Sequence, residues 1–131
     1  MQLVIFKKDF IEYKTLIYWN KIDLVKKTFY GYKINKKGQI KNNKNMFLKE
    51  EITELGYKRV KVSLNGKKYG ISTHRAVACT FIKNINIKKF KYVNHIDEDR
   101  LNNNLSNLEW VSARGNQLAR YAKTQLKFFL D

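Results

Sequence analysis

The strongest constraint on this chain is a hairpin written into residues 57–71. In residues 57–64 (YKRVKVSL), Val60, Val62 and Leu64 alternate with Lys61 and Ser63. That period of two marks a half-buried strand. Asn65 and Gly66 follow, a pair that accepts positive φ at both turn positions, and Tyr69 and Ile71 alternate on the return. Lys58, Arg59, Lys61, Lys67 and Lys68 decorate the hairpin. A basic two-stranded ribbon fits a DNA groove, with its lysines touching phosphates rather than reading bases.

Shorter signals surround the hairpin. Residues 3–6 and 16–19 are apolar runs of strand type, and 29–34 (FYGYKI) reads as a strand. Residues 35–38 (NKKG) form a turn, 39–41 a returning partner, and 41–50 a polar loop. Thr73 is the expected N-cap of a short helix over 74–81, with Val77 and Phe81 one turn apart. The last third reads as strand (91–96), polar loop (97–106), strand (108–111) and a helix capped by Ser112 and running to about residue 129. The expected class is α+β.

Charge points to the partner. The chain carries 27 Lys+Arg against 11 Asp+Glu, a net +16 in 131 residues. The excess is even: twelve cations against four acids in residues 1–50, fifteen against seven in the rest, +8 each. With no basic tail, the charge belongs to the folded body, as in a surface that lies along a polyanion. Apolar residues at 44% suffice for a core, so disorder is not expected. The single Cys79, inside an apolar run, excludes an internal disulfide and a thiolate zinc site and implies an intracellular, reducing setting. No stretch has the roughly 18 apolar residues of a membrane span, and no signal peptide is visible.

The chemistry-bearing residues lie in 94–116 (NHIDEDRLNNNLSNLEWVSARGN). His95 closes a strand beside Asn94, Asn107 precedes the next strand, and Asn116 lies in the first turn of the last helix. A strand–strand–helix unit folds Asn116 back toward Asn94 and His95. Such a set suits phosphodiester hydrolysis. A neutral imidazole takes a proton from attacking water near pH 7. A divalent cation stabilises the leaving oxygen, and Mg²⁺ accepts two protein oxygens while keeping several waters. A polar loop with a structural histidine is the competing reading of these residues alone.

Residues 72–116 (STHRAVACTF…YVNHIDEDRLNNNLSNLEWVSARGN) resemble the HNH nucleases of phage and intron homing endonucleases. The pattern of His-Arg, a helix ending in Phe, Val-Asn-His-x-Asp, Asn-Asn, Asn-Leu-Glu-Trp and a final Asn occurs in order. The segments FYGYKINKKGQIKN and ELGYKRVKVSLNGKKYGISTHR resemble the β module that often precedes this core. The resemblance covers roughly residues 15–120. It implies an N-terminal antiparallel β module that contacts DNA (1–70) followed by a ββα-metal HNH nuclease core with a C-terminal helix (71–131).

It also implies roles. His95 matches the general base, and Asn107 the middle Asn, which orients the loop and the histidine without being a ligand. Asn94 and Asn116 match the metal-binding positions, for Mg²⁺ or Mn²⁺. Many relatives carry Asp at the position of Asn94 and others Asn, so here a neutral amide replaces a carboxylate charge beside the metal. Arg75, Arg114 and Arg120 join the hairpin cations as expected nucleic-acid contacts, though Arg75 reads equally well as structural; His74, beside it at the first helix's N-terminus, reads more readily as an interior hydrogen-bonding residue. Asp97 and Asp99 read as loop residues rather than ligands, Asn102–Asn104 as turn formers, and Trp110 as core. Many relatives continue into a helix-turn-helix that reads sequence, whereas this chain ends at Asp131, so a protein partner is expected to supply specificity. The implied function is metal-dependent DNA cleavage. The alternatives are a nucleic-acid-binding module without catalysis and a basic structural protein of a ribosome or virion.

Overall fold

The computed structural model describes residues 11–118. In chain order the elements are β1 (Tyr13–Tyr18), β2 (Lys27–Asn35), β3 (Ile40–Asn42), β4 (Glu51–Ile52), β5 (Lys58–Leu64), β6 (Lys67–Ser72), α1 (Thr73–Phe81), β7 (Tyr92–His95), a 3₁₀ turn (Leu105–Asn107) and β8 (Leu108–Val111). They form three antiparallel sheets, ordered β1-β2-β3, β4-β5-β6 and β7-β8. The α+β class is as expected.

The hairpin obeys its sequence. β5 and β6 pair from Leu64↔Lys67 to Arg59↔Ser72, and Asn65 and Gly66 both take positive φ, 51° and 77°. Val60, Val62 and Ile71 are buried, leaving Arg59, Lys61 and, opposite Ser63, Lys68 on the outer face. β4 was not expected. It is two residues long, too short for a periodic signal, and Glu51 reaches both Arg59 (3.1 Å) and Lys61 (3.6 Å).

One apolar cluster joins the three sheets. Leu16, Phe29, Ile34 and Ile40 meet Val60, Val62 and Ile71, and Ala76, Val77 and Leu108 complete it. α1 is central to this packing. Its N-cap is Ser72, not Thr73, and no side chain caps it. Thr73 is instead buried at the first helical position. The turn after β2 presses on it: Gly38 has φ +85°, and a Cβ there would lie 2.8 Å from Thr73 Cγ2. Only glycine meets both demands.

Arg75 departs from expectation. It was counted among nucleic-acid contacts, yet it is 7% exposed. Its guanidinium donates to the carbonyls of Trp19 and Lys91 and lies over the Trp110 ring, which stacks on Trp19 at 5.4 Å. These bonds tie β1 and the approach to β7 onto α1, so its charge is not offered to a phosphate. Trp110 packs as expected and donates to Ile82 O. Cys79 is buried, and burial pushes its thiol up to about 12. Residues 113–118 are helical. The continuation to residue 129, the run at 3–6 and Arg120 lie outside the described residues.

Candidate active site

β7 and β8 pair in register, with Asn94 opposite Glu109 and His95 opposite Leu108. Side chains alternate along a strand, so neighbours face opposite ways. His95 and Leu108 turn inward, at 5% exposure each. Asn94 and Glu109 share the other face, where Asn94 Nδ2 donates to Glu109 Oε1 at 2.9 Å.

The loop leaving β7 is built around Asn107. Its backbone carbonyl accepts from Ile96 N and its side-chain oxygen from Asp97 N, while Nδ2 donates to Asp97 Oδ1 and Asn102 O. One buried amide thereby fixes the two residues after His95. Asp97 also accepts from Asn102 Nδ2 and from Asp99 N. The Asn102 bond, with these others, holds its carboxyl below the usual range. Asp97 is thus occupied within the loop.

His95 is held on several sides. Nε2 lies 2.8 Å from Asn103 Oδ1. An amide oxygen only accepts, so in the neutral ring this contact puts the proton on Nε2 and leaves the lone pair on Nδ1. The His74 ring lies 4.8 Å from that of His95, and Tyr57 stacks near both, at 5.0 Å from His74 and 6.0 Å from His95. Arg100 covers Tyr57 at 4.8 Å and donates to Leu55 O, closing the 53–57 turn over the loop. Among the described residues, His74 Nδ1 and Asn103 Nδ2 are buried without partners, a condition that concentrates at functional sites.

Sequence reasoning missed Tyr57, Asn103 and Glu109. Asn103 is the inward member of an asparagine run read as turn formers, and nothing in its residue type separates it from its neighbours. Glu109 did leave a signal: its place in LEWV, combined with antiparallel register, sets it opposite Asn94.

Asn116 lies in the helical residues 113–118, half-buried, with its backbone amide donating to Ser112 O. No hydrogen bond among the described residues joins its side chain to Asn94 or His95. Arg114, two residues earlier, is exposed. Among the described residues no group of three or more His, Cys, Asp or Glu gathers. Asn94, with Nδ2 engaged by Glu109, retains Oδ1 as a donor. The available donors are therefore hard oxygens, which fit Mg²⁺ or Mn²⁺.

His74 gives a prediction of its own. Burial first, then His95 and Arg75, push its imidazole from 6.5 down to about 3. The unfolded chain protonates this group below about 6.5, whereas the folded protein does not until about 3. Stability therefore falls as pH drops from 6.5 toward 3, and this group has little effect at higher pH. Between pH 6.5 and 5 the loss is on the order of 1–2 kcal/mol. Thermal melts at these two pH values measure it. His74→Phe should flatten the dependence; an unchanged slope would assign it to another group.

Comparison with known proteins bears on the family and the fold. Residues 86–118 match the family described as HNH endonuclease. The chain is 40% identical over 100 residues to an uncharacterized HNH endonuclease, L245, of Acanthamoeba polyphaga mimivirus, covering 76% of this chain and 29% of that protein. A second mimivirus protein, uncharacterized HNH endonuclease L247, is 54% identical over 43 residues, 33% of this chain and 11% of its own. The fold is similar to that of the HNH homing endonuclease I-HmuI, solved in work on its DNA binding and cleavage. The TM-score is 0.67 at 26% identity, covering 73% of this chain and 55% of that one. The chain thus spans under a third of the viral relatives and about half of the structural one. In sequence and in fold it is HNH homing-endonuclease-like.

Proposed function

We propose that this HNH homing-endonuclease-like chain is a divalent-metal-dependent DNA endonuclease, nicking or cutting duplex DNA with His95 as general base. The observation that carries the reading is the enclosure of His95 by Asn103, His74 and Tyr57, above a loop organised by Asn107. A proton acceptor held in one tautomer is the preorganised element that hydrolysis requires.

In the proposed mechanism, Nδ1 of His95 takes the proton of the attacking water while Nε2–H stays on Asn103. Asn107 holds the loop that positions the ring. Asn94 and Asn116 hold Mg²⁺ or Mn²⁺, which when bound stabilises charge on the leaving oxygen. Arg59, Lys61, Lys67 and Lys68 of the hairpin and Arg114 hold the DNA backbone, with Arg120 assigned on its sequence position alone. Residues 1–70 serve as the DNA-contacting part and 71–131 as the nuclease core. Phosphate contacts carry no sequence information, so a protein partner that supplies specificity belongs to the same proposal. An intracellular setting belongs to the proposal too, on the single buried Cys79 and the viral relatives.

The neutral amide at Asn94 favours a second reading, a DNA-binding protein without cleavage. Incubation of supercoiled plasmid with the protein and Mg²⁺ or Mn²⁺ separates the two. Nicked or linear product that disappears with EDTA is expected. Retarded but intact plasmid under every metal condition would establish the second reading.

A further inference from the structure

We propose that Glu109 supplies the negative charge of the metal site and fixes Asn94 as its oxygen donor. The inference rests on the reading of Asn94 as a metal-binding residue, and goes beyond it by bringing in a residue from the other strand.

Directly opposed residues of an antiparallel pair share a face and stand close enough for their side chains to meet. Asn94 and Glu109 do so, with Asn94 Nδ2 donating to Glu109 Oε1 at 2.9 Å. An amide has one donating and one accepting end. With Nδ2 committed to a carboxylate, the accepting Oδ1 is the free end, and a cation needs an oxygen. A divalent cation also needs charge, which Asn94 lacks. Glu109 carries it within hydrogen-bond reach of the same amide.

Among the described residues the carboxylate meets no competing cation. Glu12, Glu50 and Glu51 form ion pairs with described lysines and arginines, and Glu109 forms none with a described cation. An exposed acid without an ion pair among the described residues, bonded to the amide next in sequence to the proposed base, is placed to receive a cation from solution. A carboxylate at 109 thus does what one at 94 would do from across the ladder. Glu109 is a positioning residue for Asn94, and its charge acts on the bound ion.

Mn²⁺ binding to the full chain, followed by the EPR signal of the free ion, tests this without reference to cleavage. Glu109→Gln keeps an accepting oxygen for Asn94 but removes the charge; it should weaken Mn²⁺ binding about 10- to 100-fold, as loss of an outer partner typically does. Glu109→Ala should weaken it at least as much. Asn94→Asp combined with Glu109→Gln moves the charge to the other strand and should restore parental affinity to within about threefold. Both positions face away from the core, so melting temperatures should change little. Parental Mn²⁺ affinity in Glu109→Gln, with binding lost in Asn94→Ala, would overturn the role of Glu109 and leave Asn94 in place. Parental affinity in both variants, or no Mn²⁺ binding by the parent, would overturn both assignments.

Discussion

DNA binding is expected to fall about 10³- to 10⁵-fold between 50 and 200 mM salt, if roughly six to ten phosphates are engaged. The expectation rests on where the charge sits. Arg59, Lys61 and Lys68 share the outer face of the β5–β6 hairpin, and Lys67 stands exposed at its tip. Lys33 and Lys41 are direct partners across β2–β3. Like charges set opposite each other repel, and a phosphate relieves the repulsion. Glu51 occupies Arg59 and Lys61 in the free protein, but these are surface pairs with side chains roughly 40–70% exposed. Such pairs contribute little and yield readily to a polyanion. Each phosphate neutralised releases condensed counterions, which makes the affinity steep in salt. Fluorescence anisotropy with a labelled duplex should give a log–log slope of about −5 to −9. A slope near zero would show that DNA is held by other means, or not held.

How far the fold could be read from sequence depended on how local each cause was. The hairpin was legible because period two and an Asn-Gly turn are properties of neighbouring residues. The β7–loop–β8 order was legible for the same reason. β4 was not, because its two residues are fixed by pairing with Arg59 and Lys58 and by the ion pairs of Glu51. Arg75 was misread through its neighbourhood: a cation at a helix start looks like a phosphate contact. Its real partners, the Trp19 and Lys91 carbonyls, come from 56 and 16 residues away.

The site divides along the same line. His95 and Asn107 were singled out from spacing and resemblance; the bonds of Asn107 to Asp97 and Asn102 O come from the loop's fold and not from its residue type. Tyr57 enters from the turn between β4 and β5 and meets His74 and His95 only after three elements have packed together. No residue pattern announces that meeting. Asn116 was expected to fold back toward Asn94; the described residues place it in the following helical turn, without a bond between the two side chains.

The central claim is that His95 takes the proton of the attacking water, and its removal tests this most directly. General-base assistance is typically worth 10² to 10⁴ in rate. A neutral imidazole adds nothing to a +16 charge, so DNA affinity should stay within a few-fold of the parent. Burial brings a second effect: truncating a large buried side chain costs about 2–5 kcal/mol, so His95→Ala should also melt earlier. His95→Gln retains more of the packing and separates the two effects. The deciding measurement is the single-turnover cleavage rate of one duplex at saturating Mg²⁺ or Mn²⁺, for parent, His95→Ala and His95→Gln, well below the melting temperature of each. A 10²- to 10⁴-fold loss in both variants, with DNA still bound, is the predicted result; parental cleavage by either variant would contradict it.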